Sequence, residues 1–386
     1  MWRLYLCISE VTKVAFLNPT IPPRAVALLN RINAQPNIAV KGLFFAISQK
    51  NRYWQLSTSE YEKITFPYKI VNSISLGFGI KDYHNTFISF KIFRELSKFN
   101  PDVVIVPGWS DVNSFFALLW VKFFRKKIIL RTESTNNEKS WRRSLFIPYI
   151  KLFCHLADLI IGCSEQASYF ARSMANSACI VTIYSSFDTI KFNQKVMSLD
   201  KKTIRKQLGV TQSQVVYFNG QLIKRKGVIE LLDAFSHISL NQIALIITGD
   251  GQLRDQVKQS ARHYSNIYYF GYQKQNVLPK YYRAADVFIL PSFEETWGLV
   301  TIEAMAAELP IIISQKAGSV ELVESNQSGF VLPDITAKEI RTAVRYFSND
   351  KNFASYGHIN KTFALKELSY EKIAQQFSDV IYLVSK

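Results

Sequence analysis

The sequence predicts an α/β fold built from doubly wound parallel sheets. Short runs rich in β-branched and aromatic residues recur along the chain of 386 residues, and segments with helical periodicity lie between them. The runs are almost entirely apolar rather than alternating, which is typical of strands that helices cover on both faces. A chain that repeats strand, helix and strand in this way indicates parallel sheets with crossover helices.

The apolar runs predict twelve strands. Those of the first half lie near residues 13–17, 40–45, 103–106, 127–131, 159–162 and 180–184. Those of the second half lie near residues 215–219, 244–248, 267–270, 287–290, 310–313 and 329–332. Helical patterns are clear at residues 201–208, 227–236, 299–307 and 370–384.

The length of the chain predicts two or three domains, at roughly 100–200 residues each. No linker rich in glycine or proline is present, so the division rests on the order of elements. Residues 187–192 have the composition of a turn, and a new buried strand begins at residue 215 after a polar helix. We therefore expect a Rossmann-like N-terminal domain over residues 1–190 and a second such domain from residue 191, with a ligand cleft between them.

The composition excludes several classes of protein. With 48% hydrophobic and 20% charged residues, the chain is neither a disordered regulator, a collagen nor a small disulfide scaffold. The four cysteines form no CxxC pair, which argues against a zinc site and fits a reducing compartment such as the cytoplasm. No apolar run is long enough for a spanning helix, and the first residues are too weakly apolar for a signal peptide.

The net charge of +17 favours an anionic partner, although a soluble basic protein with no such partner would also fit it. Anionic lipid and phosphorylated substrates both fit it. Nucleic acid is disfavoured, because the basic residues are spread over both halves and no recognised nucleic-acid module is present. Residues 123–127 and 141–143 combine aromatic and basic side chains, which fits an anionic membrane surface and, equally well, an exposed helix end.

One short phrase occurs three times, beginning at Pro101, Ala157 and Ala285. Each copy places an aspartate before an apolar strand and a small or polar residue after it. Ligands bind at the carboxyl ends of strands in doubly wound sheets. The phrase also fits the ordinary construction of such units, and we prefer that interpretation for the first two copies.

The third copy opens the segment with the strongest signal for chemistry. Its strand is followed by a short loop and by a helix expected to begin near Trp297 and Gly298. A helix start presents free N–H groups and a positive dipole end, which suit a diphosphate, and a glycine lets the backbone approach a ligand. Glu295 and Glu303 flank this start and offer acceptors for hydroxyl groups. A nucleotide sugar fits these groups, although glutamates also occur near helix starts for purely electrostatic reasons.

The seven-residue spacing between Glu295 and Glu303 resembles the Glu-x7-Glu motif of retaining glycosyltransferases of the GT-B fold, in the large group 1 or family 4-like class. Other motifs of that family occur in order along the same half. They read Asn219-Gly220-Gln221, Lys226-Gly227, Thr248-Gly249-Asp250-Gly251, Phe270-Gly271-Tyr272 and Ala317-Gly318-Ser319. The resemblance covers residues 210–335, and its specificity comes from the order and spacing of several motifs.

The resemblance implies two Rossmann-like domains facing across a cleft, with a donor domain over residues 191–369 and a helix over residues 370–386 that returns to the first domain. It implies an enzyme, a hexosyltransferase that moves a sugar from a nucleoside diphosphate sugar to an acceptor hydroxyl with retention at the anomeric carbon. Lys226 and Glu295 would be catalytic. The residues expected to bind the donor are Gln221, Tyr272, Trp297, Gly298, Leu299, Val300 and Glu303.

No metal and no other cofactor are expected. The chain has no Asp-x-Asp phrase. Lys226 and the helix start would instead stabilise the leaving diphosphate. The arginine usual in this family after the strand glycine is Gln221 here, so the diphosphate would be met by Lys226 together with Lys224 or Arg225.

The first half resembles the family more loosely. Residues 18–24 and 51–54 are similar to a subgroup that assembles bacterial surface polysaccharides. This implies a glycan or lipid-linked acceptor and a cytoplasmic protein, peripheral at the inner face of the cell membrane. Two alternatives remain open: a GT-B nucleotide-sugar epimerase, and a non-catalytic sugar-nucleotide-binding partner of a glycosyltransferase.

Overall fold

The computed structural model describes residues 10–47, 63–76, 86–135, 141–175, 179–238, 242–349 and 353–386. The segment 51–54, which the sequence analysis associated with polysaccharide assembly, lies outside these ranges. The side chains of residues 141–143, assigned there to a membrane-surface patch, are also outside what is described.

The chain forms two compact units, described separately here. The first comprises Met1–Ser185 together with Tyr370–Lys386, and the second comprises Ser186–Ser369. From the sequence we expect a division near residue 190 and a C-terminal segment that returns to the first domain.

The first unit contains a seven-stranded parallel sheet in the order β3-β2-β1-β6-β7-β8-β9. A separate antiparallel pair is formed by β4 and β5. The strands are β1 (Thr12–Thr20), β2 (Ile38–Ala46), β3 (Tyr68–Ile70), β4 (Ile74–Leu76), β5 (Thr86–Ile88), β6 (Val103–Val106), β7 (Lys127–Thr132), β8 (Leu159–Gly162) and β9 (Cys179–Thr182). The helices are α1 (Pro23–Asn33), α2 (Lys91–Phe99), α3 (Val112–Phe123), α4 (Trp141–Leu156) and α5 (Glu165–Met174).

The second unit contains a six-stranded parallel sheet in the order β12-β11-β10-β13-β14-β15. Its strands are β10 (Gln214–Asn219), β11 (Ile243–Thr248), β12 (Ile267–Tyr269), β13 (Val287–Leu290), β14 (Ile311–Ser314) and β15 (Gly329–Leu332). Its helices are α6 (Thr189–Met197), α7 (Lys201–Gln207), α8 (Val228–Ser236), α9 (Arg254–His263), α10 (Leu278–Ala284), α11 (Leu299–Ala306), α12 (Val320–Asn326), α13 (Ala337–Asn349) and α14 (Phe353–Glu367). The last helix of the chain, α15 (Tyr370–Ser385), belongs to the first unit.

All twelve predicted strands are present, and most of the apolar runs that predicted them are buried, whereas β9 and β15 are largely only partly buried. Three strands escaped prediction: β3, β4 and β5 have only three residues each, too few for a periodic signal. The turn predicted at residues 187–192 is wrong. The Asp188 carboxylate accepts a hydrogen bond from Lys191 N and caps α6, so the chain is helical from Thr189.

The three aspartates of the recurring phrase fasten neighbouring strands together. Asp286 N–H donates to Val215 O, and the Asp286 carboxylate accepts from Val215 N, at 2.8 Å in each case. Asp102 makes the same pair of bonds with Lys13, and Asp158 makes it with Ile128. Each carboxylate also pairs with at least one lysine. The phrase is therefore a structural device in all three copies, including the third.

Helix α15 packs against α1 within the first unit. The Arg31 side chain lies over the Tyr370 ring and pairs with Glu371 at 2.8 Å, and the Tyr370 hydroxyl donates to Arg24 O. In the part of the chain that the structure describes, no helix has the length and apolar character required to cross a bilayer.

We predict that Asp286→Ala lowers the free energy of unfolding of the second unit by about 2–4 kcal/mol. The change removes the acceptor of Val215 N and leaves Lys201 and Arg205 without their carboxylate. Urea unfolding measures the effect, and Asp255→Ala, at an exposed position on α9, is the control. An unchanged urea midpoint for Asp286→Ala would show that the hydrogen bond and ion pairs of Asp286 contribute no stability.

Candidate active site

The carboxyl end of β13 leads directly into an uncapped helix start. Residues 291–298 connect β13 to α11, and no side chain forms a capping hydrogen bond at the first turn of α11. The first N–H groups of a helix have no partner within it. The start of α11 therefore offers backbone donors and a positive dipole end, at the edge of the sheet where ligands bind in such folds.

Gly298 is required by the conformation of this turn. Its φ angle is +91°, in the left-handed region that other residues rarely adopt. A Cβ atom at this position would lie 3.1 Å from Ser319 Oγ and 3.2 Å from Glu295 Cγ. The glycine therefore allows the loop, the helix start and the Glu295 side chain to pack closely.

A basic turn after β10 packs directly on the loop after β13. Lys224–Lys226 form one turn of 3₁₀ helix, and Gly227 follows with a φ angle of +69°. A Cβ atom on Gly227 would collide with Pro291 O, so the two backbones are in contact. Phe293 N donates to Arg225 O at 2.8 Å, and an Arg225 guanidinium N–H donates to Glu294 O at 3.0 Å. These contacts fix the position of the lysine at the end of the turn.

Lys226 forms an ion pair with Glu295, and both side chains are largely buried. The two residues are 69 positions apart in sequence, and the packing of the two loops brings them together. Burial, helped by the positive charge of Arg225 and opposed by Glu294, lowers the pKa of Lys226 from 10.5 to about 7. Contact with the Glu295 carboxylate favours the charged ammonium. This ammonium is placed to compensate a negative charge near the start of α11.

Glu303 lies on α11 and is only 8% exposed. Its carboxylate accepts a hydrogen bond of 2.7 Å from the hydroxyl of Tyr282, on α10. Burial raises the pKa of Glu303 from 4.5 to about 7, and the Tyr282 bond lowers it in part. Tyr282 is itself hydrogen-bonded to Asn219, which accepts a hydrogen bond from the Thr248 hydroxyl. A buried polar network thus connects Glu303 to the ends of β10 and β11.

The other predicted donor-binding residues lie along the same edge of the sheet. Gln221 follows β10 and is exposed, and Tyr272 follows β12 and is half-exposed. Trp297 is buried, and its carbonyl accepts from Ser319 N at 2.9 Å, so it supports the loop from within. Leu299 and Val300 form the first turn of α11. Among the described residues, no three His, Cys, Asp or Glu side chains are grouped as metal ligands.

Tyr282 belongs to this site, although no sequence motif pointed to it. The hydrogen bond to Glu303 spans 21 positions, and nothing in the spacing indicates it. A tyrosine pair inside a short helix was the available signal, because a buried hydroxyl group requires a partner.

Comparison with known proteins finds a family that part of the second unit matches. Residues 200–361 match the family described as glycosyl transferases group 1. An uncharacterized glycosyltransferase of Methanocaldococcus jannaschii is 27% identical over 234 residues, which cover 56% of this chain and 60% of that protein. A capsular polysaccharide biosynthesis glycosyltransferase of Staphylococcus aureus is 24% identical over 54% of this chain and 57% of its own length. The chain thus aligns with less than two thirds of each relative.

Solved structures extend the likeness to the whole fold. The HepE protein of Anabaena, crystallised with UDP and glucose, superposes with a TM-score of 0.71 at 17% identity, covering 96% of this chain and 99% of that one. Together with the two parallel-sheet domains, this likeness identifies the GT-B fold that the sequence motifs predicted.

We predict that Glu303→Gln stabilises the ligand-free protein, and more so as the pH rises. Between pH 4.5 and 7 the folded state retains the Glu303 proton while the unfolded chain loses it, so wild-type stability falls over this interval. The loss approaches about 3 kcal/mol above pH 7, and a neutral amide avoids it. Urea unfolding at pH 5 and pH 8 measures the difference.

The control for this prediction is Glu324→Gln, at an exposed position on α12. Its difference from the wild type should be small and the same at both pH values. If Glu303→Gln also shows no dependence on pH, the Glu303 carboxyl group is not desolvated as described.

Proposed function

We propose that this chain, whose residues 200–361 match the glycosyl transferases group 1 family, moves a sugar from a nucleoside diphosphate sugar to a hydroxyl group of a glycan or lipid-linked acceptor. The observation that carries the proposal is the buried pair of Lys226 and Glu295 beside the uncapped start of α11. A cation, a carboxylate and free backbone N–H groups at one place match the charged and hydroxyl-bearing parts of such a donor.

The leaving diphosphate determines the chemistry of the proposed reaction. Negative charge develops on it as the bond to the sugar breaks, and preorganised donors aimed at that charge are usually the largest catalytic contribution. Lys226 and the backbone N–H groups of Leu299 and Val300 would stabilise this charge. Once the diphosphate neutralises Lys226, the Glu295 carboxylate is available to accept from hydroxyl groups of the transferred sugar.

Glu303 would bind the ribose of the donor. An ionised carboxylate accepts hydrogen bonds from two hydroxyl groups, and these bonds compensate the burial that raises its pKa. Tyr272, half-exposed at the end of β12, would contact the base, largely through its backbone. Transfer with retention at the anomeric carbon is part of the proposal and follows from the Glu-x7-Glu resemblance.

The relatives guide the choice of substrates. HepE of Anabaena was crystallised with UDP and glucose, so UDP-glucose is the first donor to test. The Staphylococcus aureus relative is described as acting in capsular polysaccharide biosynthesis, which favours a surface glycan as the product. Such assembly would place the protein in the cytoplasm, at the inner face of the cell membrane.

Two other functions make different predictions. An epimerase of the same fold would convert a nucleotide sugar without an acceptor, so product analysis with donor alone identifies it. A non-catalytic partner of a glycosyltransferase would bind the donor without turnover; this alternative is favoured by the neutral Gln221 at the position where the family usually has arginine. The complete Lys226–Glu295 pair favours the transferase over the non-catalytic partner.

We predict that UDP-, GDP- or ADP-sugars raise the melting temperature of the protein, since a ligand that binds only the folded state stabilises it.

With the donor identified, Lys226→Ala should lower the turnover number at least ~100-fold. Glu303→Ala should mainly weaken donor binding. Lys258→Ala, an exposed lysine on α9, is the matched control. Unchanged turnover in Lys226→Ala would refute the role of Lys226 at the leaving group.

We predict that turnover does not depend on a divalent metal, because Lys226 and the start of α11 would supply the positive charge that a metal provides elsewhere. Transfer measured after dialysis against EDTA should match transfer with added Mg²⁺ or Mn²⁺. A loss of activity on dialysis that Mg²⁺ or Mn²⁺ restores would contradict this expectation.

A further inference from the structure

The first unit exposes large apolar side chains on two consecutive helices and on the residue that precedes α2. Phe123 on α3 is 81% exposed, Leu145 on α4 is 70% exposed, and Phe90 is 72% exposed. Single exposed apolar residues are ordinary in folded proteins, but grouped ones indicate an interaction surface. We refer to the following residues as the α3–α4 face: Phe90, Phe115, Phe116, Leu119, Phe123, Leu145, Tyr149 and Leu152.

The residues of the α3–α4 face form a connected set. Phe90 stacks on Phe116 with ring centroids 5.0 Å apart. Phe116, Leu119 and Phe123 follow the spacing of three and four residues that places side chains on one side of a helix. Phe115 on α3 contacts Tyr149 on α4, with ring centroids 6.1 Å apart.

The spacing on α4 continues this surface. Leu145, Tyr149 and Leu152 repeat every three to four residues, so they share one side of the helix. Because Tyr149 touches Phe115, the apolar side of α4 adjoins that of α3.

Positive charge predominates around the face. Within α3 and α4, the segments 112–123 and 144–156 contain Lys122 and Lys151 and no aspartate or glutamate, although Asp158, close after α4, pairs with Lys122 at 3.7 Å. Lys122, Arg125 and Lys151 are exposed on or next to the two helices. An apolar surface bordered mainly by positive charge complements an anionic lipid bilayer, whose headgroups attract lysine and arginine while its interior accepts aromatic and aliphatic side chains.

We propose that the α3–α4 face docks the first unit on an anionic membrane surface, with Phe123 and Leu145 entering the boundary between headgroups and acyl chains. A protein partner of matching shape is the less favoured occupant, because lysine is depleted at interfaces between proteins, whereas Lys122 and Lys151 border this face. The proposal concerns binding alone and does not depend on the sugar-transfer reaction. In this proposal the exposed aromatic and basic residues of α3 and α4 serve the same function.

Cosedimentation of the full chain with vesicles tests the proposal. The wild-type protein should bind vesicles of equal parts phosphatidylglycerol and phosphatidylcholine, bind phosphatidylcholine vesicles much less, and lose affinity as salt is raised. The combined change Phe123→Ser and Leu145→Ser should weaken binding at least about tenfold, and Arg125→Gln with Lys151→Gln should weaken it on anionic vesicles only. Leu383→Ser, on α15 of the same unit and 60% exposed, is the control and should bind as the wild type does.

Three results would overturn the proposal. The first is an absence of wild-type binding to anionic vesicles. The second is equal binding to both kinds of vesicle. The third is unaltered binding by the Phe123→Ser and Leu145→Ser variant, once circular dichroism and its unfolding midpoint show that it is folded. If that variant instead changes the oligomeric state while the wild-type protein ignores vesicles, the face serves contact between copies of the chain.

Discussion

The burial of a lysine at the carboxyl edge of the second sheet is the constraint on which the candidate active site depends. An ammonium removed from water is tolerated only beside an opposite charge. Glu295 supplies that charge from a different loop, and it can do so because Gly227 and Pro291 touch with no side chain between them. The same contact holds the loop backbone next to the first turn of α11. A diphosphate would stabilise the Lys226 ammonium as Glu295 does. The ammonium would therefore be paired with a negative charge in the empty site and in the occupied site.

The fold could be predicted from the sequence much further than the site could. Strands such as β11 and β13 are buried on both faces, and their uninterrupted apolar residues showed this before any coordinates. Asp188 was misread, because an aspartate that opens a turn and one that caps a helix look alike without the following backbone. The pairing of Lys226 with Glu295 and the bond from Tyr282 to Glu303 depend on how distant loops pack. The order of the motifs suggested that Lys226, Glu295 and Glu303 belong to one site. Only the coordinates show that Lys226 contacts Glu295 and that Glu303 contacts Tyr282.

The two units concentrate different chemistry. The second unit holds buried carboxyl and ammonium groups whose pKa values lie near neutrality, at about 7 for both Lys226 and Glu303. Buried groups with such pKa values lower the free energy of unfolding of the ligand-free protein, and a ligand that pairs with them compensates this loss. Such groups are common at functional sites. The first unit instead carries apolar side chains in contact with water on α3 and α4. In both units the unfavourable features are local, and strands such as β6 and β13 beneath them are fully buried.

The hydrogen bonds that these aspartates make to the neighbouring strands affect how much sequence change the loops of each sheet tolerate. Asp102, Asp158 and Asp286 hold their strands by the amino end, opposite the edge where ligands bind. Neighbouring side chains along a strand point to opposite faces, so slippage by a single position would move every side chain of that strand to the other face of the sheet. Because the aspartates fix the strand register at the amino end, the loops at the carboxyl edge do not have to fix it. They can differ in length and composition while the strands stay in step, which lets one scaffold accept many alternative binding loops.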